Sequence, residues 1–220
     1  MDEVSNRQRQ GAVGVLLAGG LSRRMGGGDK GLLALGGQTM LAHVIGRLAP
    51  QVDRMVINAN GDPARFAAYR LPVAPDTVEG FVGPLAGVLA GMRWTKAHAP
   101  ATTHIATVST DAPFLPLDLV ARLAAALDAT ANERIALAAS GGELHPVIGL
   151  WPVALADDLE DALTRGVRKV LHWTDRHGSL AVDFPFLEIG GRRLDPFFNA
   201  NTPEELAEAR QLIQTESSTP

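Results

Sequence analysis

The groups best suited to chemistry crowd between residues 15 and 35, VLLAGGLSRRMGGGDKGLLAL. An apolar run breaks into glycines there, and Arg24 and Lys30 flank Gly26-Gly27-Gly28 and Asp29. A glycine-rich loop exposes backbone N–H groups that cradle anionic oxygens. A guanidinium and an ammonium add charge-assisted bonds to phosphate. A second candidate is Asp111, in STDAPFLP. A lone carboxylate of this kind suits Mg²⁺, which takes one or two carboxylates and completes its shell with waters and phosphate oxygens. A turn or helix-capping aspartate is the structural alternative. Asn58, Asn60 and Asp76 are further polar groups, each falling at the end of an apolar run. Asn201 is a weaker candidate for the other side of a metal, again against a capping or turn role.

Other chemistries find less support. GGGDKG, residues 26–31, matches G-x-G-x-x-G literally. The dinucleotide fingerprint must follow its strand at once, whereas the apolar run ends about eight residues earlier; it also needs an acidic residue about 20 positions on. Asn58-Ala59-Asn60 closes the next strand instead, which argues against a nicotinamide cofactor. Lys30 is followed by Gly31 rather than Ser or Thr, so the ATPase phosphate loop fails as well. The six histidines show no H-E-x-x-H spacing. His43 and His172 fall in helical patterns as packing or surface residues, while His145, in ELHPVIGLW, opens a strand near the cleft and is a candidate substrate contact. No G-x-S-x-G elbow is present. The chain has no cysteine, hence no disulfide, thiolate ligand or cysteine nucleophile. Trp94, Trp151, Trp173 and Met92 suit a core or a groove lining.

These groups need a scaffold, and the pattern supplies one. A continuous apolar run at 12–18 reads as a strand covered on both faces. Further strands are expected at 54–60, 71–76, 104–110, 134–140, 145–151 and 179–185. Helices are expected at 38–50, 62–70, from Gly83-Pro84 to about 97, 115–129, 153–165, 167–176 and 202–213. Thr202, Pro203 and Glu205 form the signature of a capping box. This alternation predicts an α/β fold with a mostly parallel central sheet between helical layers. Ligands of such sheets bind at the carboxyl ends of the strands. Gly19, Asn58, Asp76 and Asp111 all fall at those ends.

The 220 residues carry a formal net charge of −4 and are 46% hydrophobic. That suits one compact domain, with residues 1–11 and 214–220 as flexible tails. The negative balance offers no footprint for nucleic acid. No apolar stretch approaches the roughly 20 residues that span a bilayer, so no membrane is expected. The polar start, MDEVSNRQRQG, lacks the apolar region of a signal peptide, and a cytoplasmic location is expected.

The stretch LAGGLSRRMGGGDKGLLAL resembles the signature of nucleotidyltransferases that activate phosphorylated metabolites. Taken with VINAN, GPLAG, STDAPFLP, HPVIGLW, AVDFP and FFNANTPEEL, the chain is similar over about 12–210 to the molybdenum cofactor guanylyltransferases. The resemblance implies a three-layer Rossmann-like fold, a cytoplasmic enzyme, Mg²⁺, and transfer of GMP from GTP to molybdopterin or Mo-molybdopterin. It implies that Leu17, Ala18 and Gly19 meet the nucleotide through backbone groups and that Lys30 binds phosphate. It places Asn58 and Asp76 in the GTP site and gives Asp111 both nucleotide and metal. It implies a nucleotide-binding half at about 12–115 and an acceptor-binding half at about 116–212. Arg24, Lys30 and Asp111 would carry catalysis by neutralising charge. Partners would include molybdoenzyme chaperones or other cofactor-synthesis proteins. Ser109-Thr110 stands where some relatives carry a cysteine. The rivals are a cytidylyltransferase, a sugar-phosphate nucleotidyltransferase, a NAD(P)-dependent oxidoreductase and a non-catalytic cofactor carrier.

Overall fold

The computed structural model describes residues 11–18, 29–78, 80, 83–130, 134–200 and 202–217. The first strand, β1 (Ala12–Leu17), is buried along its whole length. Its alternation sends Val13, Val15 and Leu17 into one apolar cluster and Ala12 and Leu16 into another. A strand covered on both faces has to alternate in this way.

A small hairpin follows, β2 (Ala34–Leu35) with β3 (Gln38–Thr39), turning at Gly36 with φ +66°. Helix α1 (Met40–Leu48) is capped by Thr39, whose Oγ1 accepts from the Ala42 N–H at 3.1 Å. Next come β4 (Arg54–Asn58), a 3₁₀ turn at Pro63–Tyr69, β5 (Val73–Ala74) and α2 (Pro84–His98). Pro84 stands in the first turn of α2, where its missing N–H costs no helical bond.

The chain continues through β6 (His104–Ser109), α3 (Leu119–Asp128), β7 (Ile135–Ser140) and β8 (Glu143–Pro152). Helices α4 (Ala156–Thr164) and α5 (Val170–Thr174) lead to β9 (Ser179–Asp183). A second hairpin, β10 (Leu187–Ile189) with β11 (Arg192–Leu194), precedes α6 (Pro203–Ser217). No described helix is long and apolar enough to cross a membrane.

The seven-stranded central sheet has the order β5-β4-β1-β6-β8-β7-β9. Only β8 runs against its neighbours, pairing antiparallel with both β6 and β7. The strand ends after β1, β4, β5, β6 and β7 therefore share one edge with the start of β8. One face of the sheet packs against α1 and α3 through Leu41, Val44, Leu48, Leu119 and Leu123. The other packs against α2, α4 and α5 through Leu85, Val88, Met92, Leu159 and Trp173. This is the three-layer, mostly parallel arrangement that the alternation predicts. A third cluster joins Leu35, Met40, Phe114, Ile189, Leu194 and the buried side of α6.

Several expected elements differ in detail. Residues 62–70 form a 3₁₀ turn rather than an α-helix, with Pro63 at its start and Arg70 left-handed at φ 55°. The third strand is two residues long and stops before Asp76. The helix expected at 167–176 is α-helical only from Val170 to Thr174. Helix α6 runs on to Ser217, into the stretch read as tail. Both hairpins went unanticipated. The capping box is present: Glu205 Oε2 accepts from the Thr202 N–H at 2.9 Å, and Thr202 Oγ1 from the Glu205 N–H at 3.2 Å.

Candidate active site

The described candidates gather along the shared strand edge. Asp111 lies just past β6, where Ser109 Oγ donates to its Oδ1. Lys30 comes close to it as well, its Nζ 3.9 Å from Asp111 Oδ2. Both side chains are largely covered, with 22% and 15% of their surface exposed. The 3₁₀ turn carrying Lys30 comes this close because Gly31 has no side chain. A Cβ on Gly31 would lie 2.8 Å from Thr110 Cβ. Sequence thus brings an ammonium and a carboxylate to one point from residues far apart in the chain.

A second group sits beyond β4 and β5. Asn58 Nδ2 donates to Asp76 Oδ1 at 3.0 Å and to the Ala74 carbonyl at 3.1 Å. Asn60 Nδ2 donates to Asp76 Oδ2 at 2.8 Å, and Asn60 Oδ1 accepts from the Asp76 N–H at 2.9 Å. Asn58 is 4% exposed, and the first turns of α2 press on it. A Cβ on Gly87 would lie 2.3 Å from Asn58 Oδ1, so glycine is required at this crossing. The GPLAG segment therefore acts as a close-packing surface for Asn58.

The backbone of Leu17 and Ala18 is partly engaged already. Ala18 N–H donates to the Asn58 carbonyl at 2.9 Å, and the Leu17 carbonyl accepts weakly from Thr110 N–H and Oγ1, both at 3.4 Å. The Ala18 N–H thus belongs to the sheet ladder rather than to a ligand. Gly19, Arg24 and Asn201 lie outside the described residues.

Arg65 ties the two groups together and was not anticipated. Its Nε donates to Asp29 Oδ2 at 2.5 Å, its Nη1 to the Asp62 carbonyl at 2.5 Å, and its Nη2 to the Asn60 carbonyl at 2.6 Å. Asp29 adjoins Lys30, and Asn60 holds Asp76. Nothing in DPARF distinguishes this arginine from a solvated one. Ser109 and Ser140 were also missed, although each ends a strand on the ligand edge, and the rule that picked Asn58 and Asp111 applies to both.

His145 lies on the same edge, at the start of β8. Its Nε2 is 2.7 Å from Ser140 Oγ and 3.6 Å from Asp195 Oδ2. Burial lowers its pKa from the ordinary 6.5 against the attraction of Asp195 and Glu143, and so favours the neutral ring. His43 Nε2 bonds the Leu35 carbonyl at 2.8 Å, a packing role as expected. Trp151, Trp173 and Met92 are fully buried in the core.

The described residues hold no group of three or more His, Cys, Asp or Glu that would enclose a metal by themselves. A single hard carboxylate beside the Lys30 ammonium fits Mg²⁺, which is held largely by substrate oxygens and waters. It does not fit zinc, which takes three or four protein ligands.

The family described as MobA-like NTP transferase domain matches residues 14–182. A molybdenum cofactor guanylyltransferase of Bradyrhizobium sp. (strain ORS 278) is 57% identical, covering 92% of this chain and 93% of its own. One from Mesorhizobium japonicum is 47% identical, covering 96% and 100%. Among solved structures, the molybdopterin-guanine dinucleotide biosynthesis protein A of Archaeoglobus fulgidus aligns with TM-score 0.68 at 22% identity, covering 92% and 98%. The 4-diphosphocytidyl-2C-methyl-D-erythritol synthase of Anaerococcus prevotii aligns with TM-score 0.66 at 11% identity, covering 93% and 97%, and shares the fold alone.

Proposed function

The chain belongs to the MobA-like NTP transferase family, within its molybdenum cofactor guanylyltransferase branch, and from that premise we propose how its own residues join GMP to the phosphate of molybdopterin. The observation that carries the site assignment is the approach of Lys30 Nζ to Asp111 Oδ2, 3.9 Å apart on the ligand edge of the sheet.

In this reaction an oxygen of the acceptor's terminal phosphate forms a bond to the α-phosphorus of GTP. The bond from that phosphorus to the α–β bridging oxygen breaks, and pyrophosphate leaves with the electron pair. A phosphate monoester with second pKa near 6 is mostly dianionic at neutral pH, so no protein base has to remove a proton. The obstacle is repulsion between anions, which positioning and fixed positive charge overcome. Lys30 would lie against the phosphates, and Arg24 would add a second charge from the glycine loop. Asp111 would hold Mg²⁺, which supplies charge neutralisation to the triphosphate when bound. Ser109, through its bond to Oδ1, keeps the Asp111 carboxylate oriented.

Asn58 and Asp76 would contact the guanine or ribose, with Asn60 fixing the carboxylate. Residues about 12–115 would then be the nucleotide half and about 116–212 the acceptor half of one domain. A cytoplasmic location fits this reading, because GTP is available there.

The test is pyrophosphate release with molybdopterin and each of GTP, CTP, ATP and UTP, with and without Mg²⁺. GTP is expected to support turnover at least tenfold faster than the others, and only with the metal. A preference for CTP would replace the guanylyl reading by the cytidylyl one, a reading open to the shared fold of the diphosphocytidyl synthase. Saturable NAD(P) binding, or binding of product without any pyrophosphate release, would point to the oxidoreductase or the carrier.

A further inference from the structure

The acceptor half holds a polar cluster that the nucleotide chemistry leaves unused. Ser140 ends β7, His145 is the third residue of β8, and Asp195 follows β11, and the three side chains meet on the ligand edge. Ser140 Oγ donates to Asp195 Oδ1 at 2.8 Å, and the Phe197 N–H donates to the same oxygen at 2.8 Å. Ser140 has only one hydroxyl proton, so the 2.7 Å contact with His145 must be a bond from Nε2–H to Oγ. This arrangement is no nucleophilic triad, because His145 gives a proton to the serine rather than taking one.

Donor counting then fixes what remains open. With Nε2 carrying the hydrogen of a neutral ring, His145 Nδ1 is a lone-pair acceptor, and no described residue bonds it. Asp195 Oδ2 likewise accepts no hydrogen bond from a described residue, since the His145 Nε2 contact at 3.6 Å is too long for one. The two side chains keep 17% and 29% of their surface exposed, so both acceptors are reachable. Buried Phe197 backs the imidazole, ring centroids 4.7 Å apart, and Phe184 packs edge-on behind it at 5.3 Å. The ring is therefore rigid. Glu143 adds further negative charge nearby.

The cluster is continuous with the reaction centre. Residues 195–200 run from Asp195 to Ala200, whose N–H donates to the Asp111 carbonyl at 3.4 Å. Phe198 in the same segment meets Phe114, three residues past Asp111, edge-on at 6.4 Å.

We propose that His145 and Asp195 form the subsite for the pterin ring of the acceptor, with His145 Nδ1 and Asp195 Oδ2 accepting from the ring's amine and ring N–H groups. The inference rests on the acceptor being molybdopterin. A carboxylate, a second acidic residue and an imidazole acceptor repel a phosphate, so this cannot be where the acceptor's phosphate lies. They match a flat heterocycle whose edge presents adjacent N–H donors. Recognition of such donors leaves these partly covered acceptors unpaired by an altered ring, which gives discrimination.

Three variants separate the roles. Asp195→Asn keeps an oxygen for Ser140 and Phe197 but replaces the outward acceptor by an NH₂ donor. His145→Leu removes Nδ1, and His145→Asn restores a polar atom near its position. Binding of 6-hydroxymethylpterin, which has the ring but no phosphate, is read by its fluorescence, beside titration with a fluorescent GTP analogue. Wild type is expected to bind the pterin saturably, Asp195→Asn and His145→Leu at least tenfold more weakly, and His145→Asn in between, with GTP-analogue affinity unchanged within twofold. In turnover assays the same variants are expected to raise the acceptor KM tenfold with little change in the GTP KM. Equal pterin binding by wild type and variants, or displacement of the pterin by inorganic phosphate, would overturn the subsite. Parallel loss of GTP affinity would overturn it too, by showing a general structural role. Failure of wild type to release pyrophosphate with GTP and molybdopterin would count against the proposed reaction, whereas the pterin titration reads the subsite alone.

Discussion

Asn58 donates from its amide to the carboxylate of Asp76 at 3.0 Å, and so couples the ends of two neighbouring strands, one of them fully buried at this point. Asn60 grips the other oxygen. The two amides hold the carboxylate at both of its oxygens. Asn58→Asp is nearly isosteric but sets a second carboxylate against the first. It also removes the bond to the Ala74 carbonyl. A cost of about 1–3 kcal/mol is expected from losing a buried donor and adding like charge. The measurement is urea unfolding, together with GTP titration of the folded fraction. Unchanged stability and unchanged GTP affinity would show that the pair is incidental.

Lys30 and Asp111 give the sharpest kinetic expectation. Each is partly exposed, so Lys30→Ala and Asp111→Ala should fold normally. Each should lose about 10²–10³-fold in kcat, the usual scale for removing one preorganised charge from a transition state. Groups that act as a unit are not additive, so the double variant should fall little below the worse single one. Single-turnover rates of pyrophosphate release, with circular dichroism as the control for folding, decide the matter. Near wild-type rates in either variant would remove that residue from the mechanism.

The strand ends were legible because apolar runs that stop at a polar residue have one physical reading in a parallel sheet. That rule located Asn58, Asp76 and Asp111, and the capping signature located Thr202 and Glu205. What was not legible depended on partners distant in sequence. Arg65 becomes meaningful only when the 3₁₀ turn brings it to Asp29, 36 residues away. Asp195 meets Ser140 across 55 residues, and its local context reads as an ordinary turn. The hairpins at Gly36 and Gly190-Gly191 have strands of two or three residues, too short for any periodicity to show.

Arg65 should therefore behave as a positioning residue. Its planar guanidinium joins Asp29 to the carbonyls of Asn60 and Asp62 and stacks over Phe66 at 4.6 Å. Lysine keeps the charge but cannot reach three acceptors in fixed directions. Arg65→Lys is expected to raise the GTP KM about five- to tenfold, with kcat within threefold and the acceptor KM unchanged. A surface role would leave all three constants alone, and a purely structural one would lower the melting temperature without the KM split.

Stability should fall with acidity in a window set by histidine. Burial lowers the pKa of His104 from the ordinary 6.5, and the nearby charge of Asp128 only partly opposes it. His145 is lowered for the same first reason. A group whose folded pKa lies below its unfolded one contributes stability above the unfolded value. That contribution is lost as pH falls through 6.5 toward the folded pKa, because the unfolded chain binds the extra proton. Each such histidine can add at most about 1.4 kcal/mol per pH unit to the slope. Asp157 and Asp158 are both shifted below 3.8, so their losses belong to more acid solutions and do not overlap this window. His104 is also hydrogen-bonded at Nδ1 to Thr103 Oγ1 at 2.9 Å, a bond that glutamine can keep without a proton to gain. Urea unfolding of the wild type between pH 7.5 and 5.5 should therefore show falling stability. His104→Gln should show a flatter decline, and combining it with His145→Asn a flatter one still. An unchanged slope in the double variant would assign the loss to groups other than these two.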